Sequence, residues 1–217
     1  MTNPGPRCAS MTLSDRILTA GEVVIAERGV DASLEEVARA AGSRNKSAVH
    51  YHFGSRDGLV AAIVQRRLTE LETRRLAMLA EHEAGSGGSD VRVLTAMLVH
   101  PLIEMVHTPG ATHCARFFER VRHHPSVADE MNLWDESRPA VRIIVSRLTR
   151  AIAPLPPEAR RYRLEAMATT LLALVADYER AHQGQRHPGM QNPSPDDLVD
   201  VLTGLVTSPQ SAAVVGA

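Results

Sequence analysis

Three features predict an all-α protein. Apolar residues make up 44% of the 217-residue chain but aromatics only 3%, so a core must be built from Leu, Val, Ala, Met and Ile. Few segments alternate with a period of two, and apolar residues recur instead at helical spacing. Helix caps and Gly or Pro stops divide these patterns into segments of helix length. A chain of this size can bury a core without disulfide or metal staples, as one large domain or two small ones.

Met1–Met11 contains Pro and Gly and is expected to be unstructured. Thr12 or Ser14 can cap a first helix to about Arg28, with Ile17, Ala20, Gly21 and Val24 on one face and Gly29 as its stop. Ser33 to Glu36 read as a capping box that opens a second helix, with Leu34, Val37, Ala38 and Ala41 as its apolar stripe. Gly42 then permits a tight turn. Asn45 or Ser43 can cap a short third helix ending near Tyr51, with Val37, Val49 and Phe53 as core of this head. Ser55 caps a long fourth helix whose apolar positions, including Leu59, Ile63, Leu71, Met78 and Leu79, continue to about His82. At 1.5 Å per residue it spans roughly 40 Å, enough to join a head to a body.

Gly85 to Ser89 form a linker, and helical patterns follow at about 90–107, 111–123 and 126–152. Pro154 to Pro157 break the last of these and open another helix at about 157–183, with Pro157 or Glu158 acceptable in its first turn. A Pro/Gly/Gln/Asn segment covers about 184–195, and Ser194 or Asp196 opens a final helix before a frayed tail at 208–217. The expected division is a head at 12–55 and a body at 56–207.

Charge is distributed unevenly although its net value is −1. Residues 1–67 hold nine Lys/Arg against seven Asp/Glu, leaving fifteen against eighteen beyond. From Arg39 to Arg56 the fixed charges are Arg39, Arg44, Lys46 and Arg56, with no carboxylate, and Lys46 is the chain's single lysine. Two short helical patterns flank the Ala41-Gly42 turn, as in a helix-turn-helix, with basic and amide side chains opening the second. Such a segment suits DNA.

The succession Ile17-Leu18, Gly29, Val37-Ala38, Ala41-Gly42, His52-Phe53 and Ser55 to Leu59 resembles the tetracycline-repressor (TetR) family of bacterial regulators over about residues 13–67. The resemblance implies two DNA heads on a helical dimer, and release of the operator when a small molecule enters the body. The stretch from the Ala-Gly turn to Phe53 holds one residue more than the family's commonest form. His50 stands where that form usually has Tyr, and Tyr51 lies two residues before Phe53. A longer turn, or a looser first turn of the recognition helix, is therefore expected around Ser43 to Ser47.

Arg44 and Lys46 can donate to guanine or phosphate, and Asn45 can pair bidentately with adenine. Ser43, Ser47 and free backbone N–H groups suit phosphate, and His50, Tyr51, His52 and Arg56 can reach the backbone.

In the body, Met97, Met105, Phe117, Phe118, Met131, Trp134, Met167 and Tyr178 are candidate pocket residues for an apolar or amphipathic effector, and equally ordinary core. Leu164, Ala168, Leu171, Leu172 and Val175, with Leu198, Val201, Leu202 and Leu205, form apolar stripes on the last two helices that could build a four-helix dimer interface. Two-fold heads would then read a palindrome.

No Gly-rich phosphate loop, nucleophile elbow or clustered carboxylates point to an enzyme, and no cofactor is expected. His100, His107, His113 with Cys114, and His123-His124 lack the spacing of a helical metal clasp, so no metal is expected. Cys8 and Cys114 read as two free thiols in a reducing compartment. No apolar run approaches the ~18–20 residues that span a bilayer, and the N-terminus does not resemble a signal peptide, so a cytoplasmic protein is expected. The expected function is a homodimeric DNA-binding regulator, a repressor released by a small effector. The alternatives are a DNA-binding regulator or architectural protein without a small-molecule pocket, controlled by protein partners, and a helical interaction protein that does not bind DNA.

Overall fold

A computed structural model describes residues 11–85, 87–185 and 193–209. The expected tails, apart from Met11, Ser208 and Pro209, lie outside these residues, as do Cys8 and most of the 184–195 segment. Among the described residues all regular structure is helical: α1 (Leu13–Arg28), α2 (Leu34–Ala40), α3 (Ala48–Phe53), α4 (Arg56–Ala84), α5 (Val91–Val106), α6 (Cys114–Val121), a single 3₁₀ turn (Pro125–Val127), α7 (Pro139–Ala151), α8 (Pro157–His182) and α9 (Pro195–Thr207).

Local chemistry sets most boundaries. Thr12 and Asp15 exchange side-chain and backbone bonds in a capping box that starts α1, and Ser194 with Asp197 does the same for α9. The box expected at Ser33 does not close. Ser33 Oγ accepts from the Glu35 N–H, but Glu36 turns to Arg28 at 2.7 Å and ties α2 to the end of α1. After α2, Gly42 takes φ +71°, its N–H donates to the Arg39 carbonyl and the Ser43 N–H donates to that of Ala38. This is a Schellman ending, and glycine adopts its left-handed conformation without a Cβ penalty.

The pattern read as a helix over 126–152 is half irregular. Chain from Ala128 to Arg138 runs through turns, because Asn132 Oδ1 accepts from the Trp134 N–H and Asp135 Oδ1 from the Ser137 N–H. These side-chain bonds replace helical ones, and Pro139 keeps Arg138 out of helical geometry while opening α7.

Helices α1 and α3 pack on α4 and α2 packs on α1 and α3, with Ile17, Val37, Val49, Leu59 and Ile63 buried. Each such aliphatic side chain contributes about 1.5–3 kcal/mol by leaving water. The rest of α4 packs on α5 and α7, while α8 lies against α6 and α9. Helix α4 therefore belongs to both head and body. Helix α6 packs against α1, α5 and α8, making a second route between them. No helix among the described residues is long and apolar enough to cross a membrane.

Candidate nucleic-acid interface

Helix α2 ends at Ala40 and α3 begins at Ala48, and side chains hold the long turn between them. Ser43 Oγ accepts from the Asn45 N–H at 3.1 Å, and Asn45 Oδ1 accepts from the Ser47 N–H at 2.9 Å. The Ala48 N–H then bonds the Asn45 carbonyl, and α3 begins at Ala48 with no side-chain cap from Ser47. Neither Asn45 nor Ser43 caps the helix itself, and α3 continues past Tyr51 to Phe53. Asn45 Oδ1 holds this turn with one of its two acceptor sites, so the exposed side chain also shapes the approach to α3.

Arg44, Asn45, Lys46, Ser47, His50, Tyr51 and His52 are exposed, and Ser43 is half-buried beside them. Ala48 and Val49 face inward and fix α3 against α4, so the exposed side chains leave on the opposite side. Tyr51 is 84% exposed, which for an aromatic residue suits a partner outside the chain. Lys46 Nζ lies 3.0 Å from Glu35 in a solvated pair. Such pairs contribute little and exchange readily for phosphate.

Two of the expected contacts are engaged within the protein. His50 Nδ1 lies 2.9 Å from the Gly54 carbonyl, at the end of α3. Arg56 donates to the Ala32 carbonyl at 3.2 Å and reaches Asp31 at 3.5 Å. It clamps the α1–α2 loop and positions the head. Gly58 was placed only as part of a matching pattern, yet it has a steric duty. A Cβ there would stand 2.1 Å from the Phe53 carbonyl oxygen, so α3 and α4 can approach only across glycine.

The body holds a cavity of about 90 Å³ between α4, α5, α7 and α8, with Phe118 of α6 and the irregular segment closing it. Its apolar wall is Leu68, Leu71, Leu98, Leu102, Phe118, Met131, Leu133, Val141, Met167, Ala168, Leu171 and Leu172. Of the expected pocket residues, Phe118, Met131 and Met167 line it. Met97, Met105 and Phe117 are core elsewhere; Tyr178 packs on His107 and His182; Trp134 lies in an outer groove with Glu165 as its hydrogen-bond acceptor. Ala168, Leu171 and Leu172, expected at a dimer interface, line the cavity instead. Leu164, Val175, Leu198 and Leu202 are likewise buried inside one protomer, leaving Val201 exposed and Leu205 half-buried. The reason is geometric: α5 packs on α9 and α6 on α8, taking the widest apolar stripes.

Two arginines, Arg75 and Arg138, share this cavity. Arg75 is 5% exposed, and burial, then the neighbouring Arg138 charge, push its pKa down to about 10. Sequence reasoning missed it, although the signal was present. Leu68, Leu71, Arg75 and Leu79 follow helical spacing, which puts a cation on the inward stripe of α4.

Residues 17–63 match the family described as bacterial regulatory proteins, tetR family, and residues 96–207 match the tetracyclin repressor-like C-terminal domain. The chain belongs to the TetR family. It is a TetR-family transcription regulator with a DNA-binding helix-turn-helix head, and the family is one of regulators, not enzymes. Solved structures share the fold at low identity. A TetR family transcription regulator from Shewanella sp. PV-4 gives a TM-score of 0.56 at 17% identity, over 89% of this chain and 96% of that one. One from Marinobacter aquaeolei VT8 gives 0.55 at 18%, over 89% and 93%. The fatty acid degradation regulator FadR from Bacillus halodurans gives 0.53 at 15%, over 90% and 99%. No curated protein matches the chain.

One buried ion network joins the head of this TetR protein to its body, and a second lies within the body. Glu22 of α1 accepts from Arg67 of α4, and Arg67 also reaches Glu70 and the Gly110 carbonyl before α6. Burial pushes the Glu22 carboxyl up, against the pull of Arg67. Glu179 of α8 accepts from Arg116 Nε at 2.7 Å and from the Ala115 N–H at 3.0 Å, both on α6. Burial raises the Glu179 pKa to about 7 despite these bonds. His113 reaches Glu27 of α1 at 3.5 Å, and burial lowers its pKa. Cys114 is buried, and burial holds its thiol protonated, unlike a reactive cysteine. One side of α6 thus faces α1, while Phe118 faces the cavity.

Proposed function

We propose that this regulator is a repressor: a homodimer that binds a palindromic operator and leaves it when a small apolar or amphipathic effector fills the body cavity. The supporting observation is that α4 both carries the head and lines the cavity, through Leu59 and Ile63 at one end and Leu68, Leu71 and Arg75 further along. An occupant that displaces α4 or Phe118 changes where the head stands. The same cavity favours this reading over a regulator controlled by protein partners alone.

For the dimer, the burial of the first-expected residues leaves the outer faces of α8 and α9. Tyr162 and Val201 are the large side chains exposed there, at 72% and 55%. Dimerisation through these faces would set two copies of α3 about 34–36 Å apart, or a multiple, along one side of the duplex. A cytoplasmic location follows from this role. Selection of bound sequences from a random duplex pool tests the reading. A palindrome with half-sites about one helical turn or a multiple apart is expected. Recovery of unpaired single half-sites would contradict the two-fold reader, and recovery of no sequence would contradict operator recognition.

A further inference from the structure

The wall of the cavity is apolar apart from Arg75 and Arg138, and among the described residues Arg75 has no ion-pair partner. Arg75 carries five N–H donors. Among the described residues only the Leu98 carbonyl accepts from it, at 3.4 Å, and its buried Nε has no partner. No carboxylate lies within 4 Å of it among the described residues, although the charge of Glu72 acts on it from further away. Arg138 pairs with Asp135 at 3.5 Å and donates to the Asn132 carbonyl. Glu72, one turn before Arg75, accepts from the Ala140 N–H at the start of α7 with Oε1, while its buried Oε2 has no partner among the described residues. Asp135 also holds Ser137. An arginine keeps its proton, so Arg75 cannot escape burial by neutralising. A buried charge left in this way is unfavourable unless something outside the chain supplies the opposite one.

We propose that the effector is a monoanion, a carboxylate on a slim apolar chain or ring, and that its carboxylate pairs with Arg75 inside the cavity. This rests on the reading of the cavity as the effector site. The unpartnered donors of Arg75 suit a carboxylate, which a planar guanidinium meets in two parallel hydrogen bonds. A phosphate dianion would meet stronger repulsion from Glu72 than a monoanion does. The cavity, about 90 Å³, holds a slim apolar group; for scale, an apolar cavity of ~150 Å³ admits benzene. Met131, Leu133, Ala168 and Leu172 form a common wall with an outer groove of about 170 Å³, which gives the apolar tail of the ligand room to extend.

The test is calorimetric titration of the full chain with octanoate, 1-octanol and octylamine, which share a tail and differ in head charge. Wild type is expected to bind octanoate at least about tenfold more tightly than octanol, and octylamine most weakly. Arg75→Met should lose that preference while keeping octanol affinity within about twofold. Ligand-free Arg75→Met should also unfold at or above the wild-type temperature, because an uncompensated buried charge has been removed. Octanol or octylamine binding wild type as tightly as octanoate would overturn the monoanion and leave the cavity reading standing. Binding of none of the three would overturn both. A ligand-free Arg75→Met that unfolds below wild type would also overturn the proposal, since the fold itself would then be using the charge.

Discussion

The head and the body treat positive charge in opposite ways. On the head, Lys46 stands in solvent with Glu35 as a loose partner, and Arg44 is exposed beside it. In the body, Arg75 is enclosed by leucines with one long hydrogen bond. A solvated cation can trade its partner for phosphate at little expense and selects weakly among anions. A buried cation is costly until matched, so it discriminates sharply by charge and shape. One arrangement suits a long polyanion, and the other suits a small ligand.

Disrupting the geometry that presents the head's cations should have the largest effect. Gly58→Ala puts a methyl group against the Phe53 carbonyl, and overpacking of this kind destabilises by about 2–3 kcal/mol. The expected outcome is a lower unfolding midpoint and loss of operator affinity, with octanoate binding retained. If DNA affinity survived, the close approach of α3 and α4 would not matter to presentation.

A smaller effect sharpens the contrast. Lys46→Ala should weaken binding about tenfold to operator and random duplex alike, and lower the salt slope by about one. Asn45→Ala should reduce affinity as well as altering preference, because Asn45 Oδ1 holds the turn before α3. Filter binding at several salt concentrations separates the two. A Lys46→Ala variant that loses affinity for operator only would show that Lys46 reads a base.

The same contrast explains what could be read in advance. The head was legible because its instructions are local: Gly42 in a left-handed turn, Ser55 as a cap, and exposed charges with no carboxylate between Arg39 and Arg56. The roles of Asn45 and Arg56 were not, because their partners are a backbone N–H in an unusual turn and a loop 24 residues away. In the body, helical periodicity placed the helices but not their neighbours. Leu164 and Leu202 have the pattern of an interface and the burial of a core, and only the packing of α5 on α9 and α6 on α8 decides. Arg75 was hidden for the same reason, since an arginine in a helix reads as surface until its stripe is traced.

The smallest effect lies within the body, where Glu179 ties α8 to α6. Glu179 has a folded-state pKa of about 7 against an ordinary 4.5, so folding takes up a proton between those values. A raised carboxyl pKa means its contribution is greatest below about 4.5, falls as pH rises towards 7, and is level above. The stability difference between wild type and Glu179→Gln should therefore decrease from pH 5 to pH 7 and then stay constant. A difference that instead grew over this range would assign Glu179 an ordinary ion-pair role.

The claim that joins both regions is that filling the cavity empties the DNA site. Fluorescence anisotropy of the selected operator duplex, with and without saturating octanoate, tests it most directly. Wild type should lose roughly 5- to 150-fold in affinity, the usual range of such coupling, and Arg75→Met should lose clearly less at the same octanoate concentration. An unchanged wild-type affinity, with calorimetry showing the cavity filled, would contradict the account.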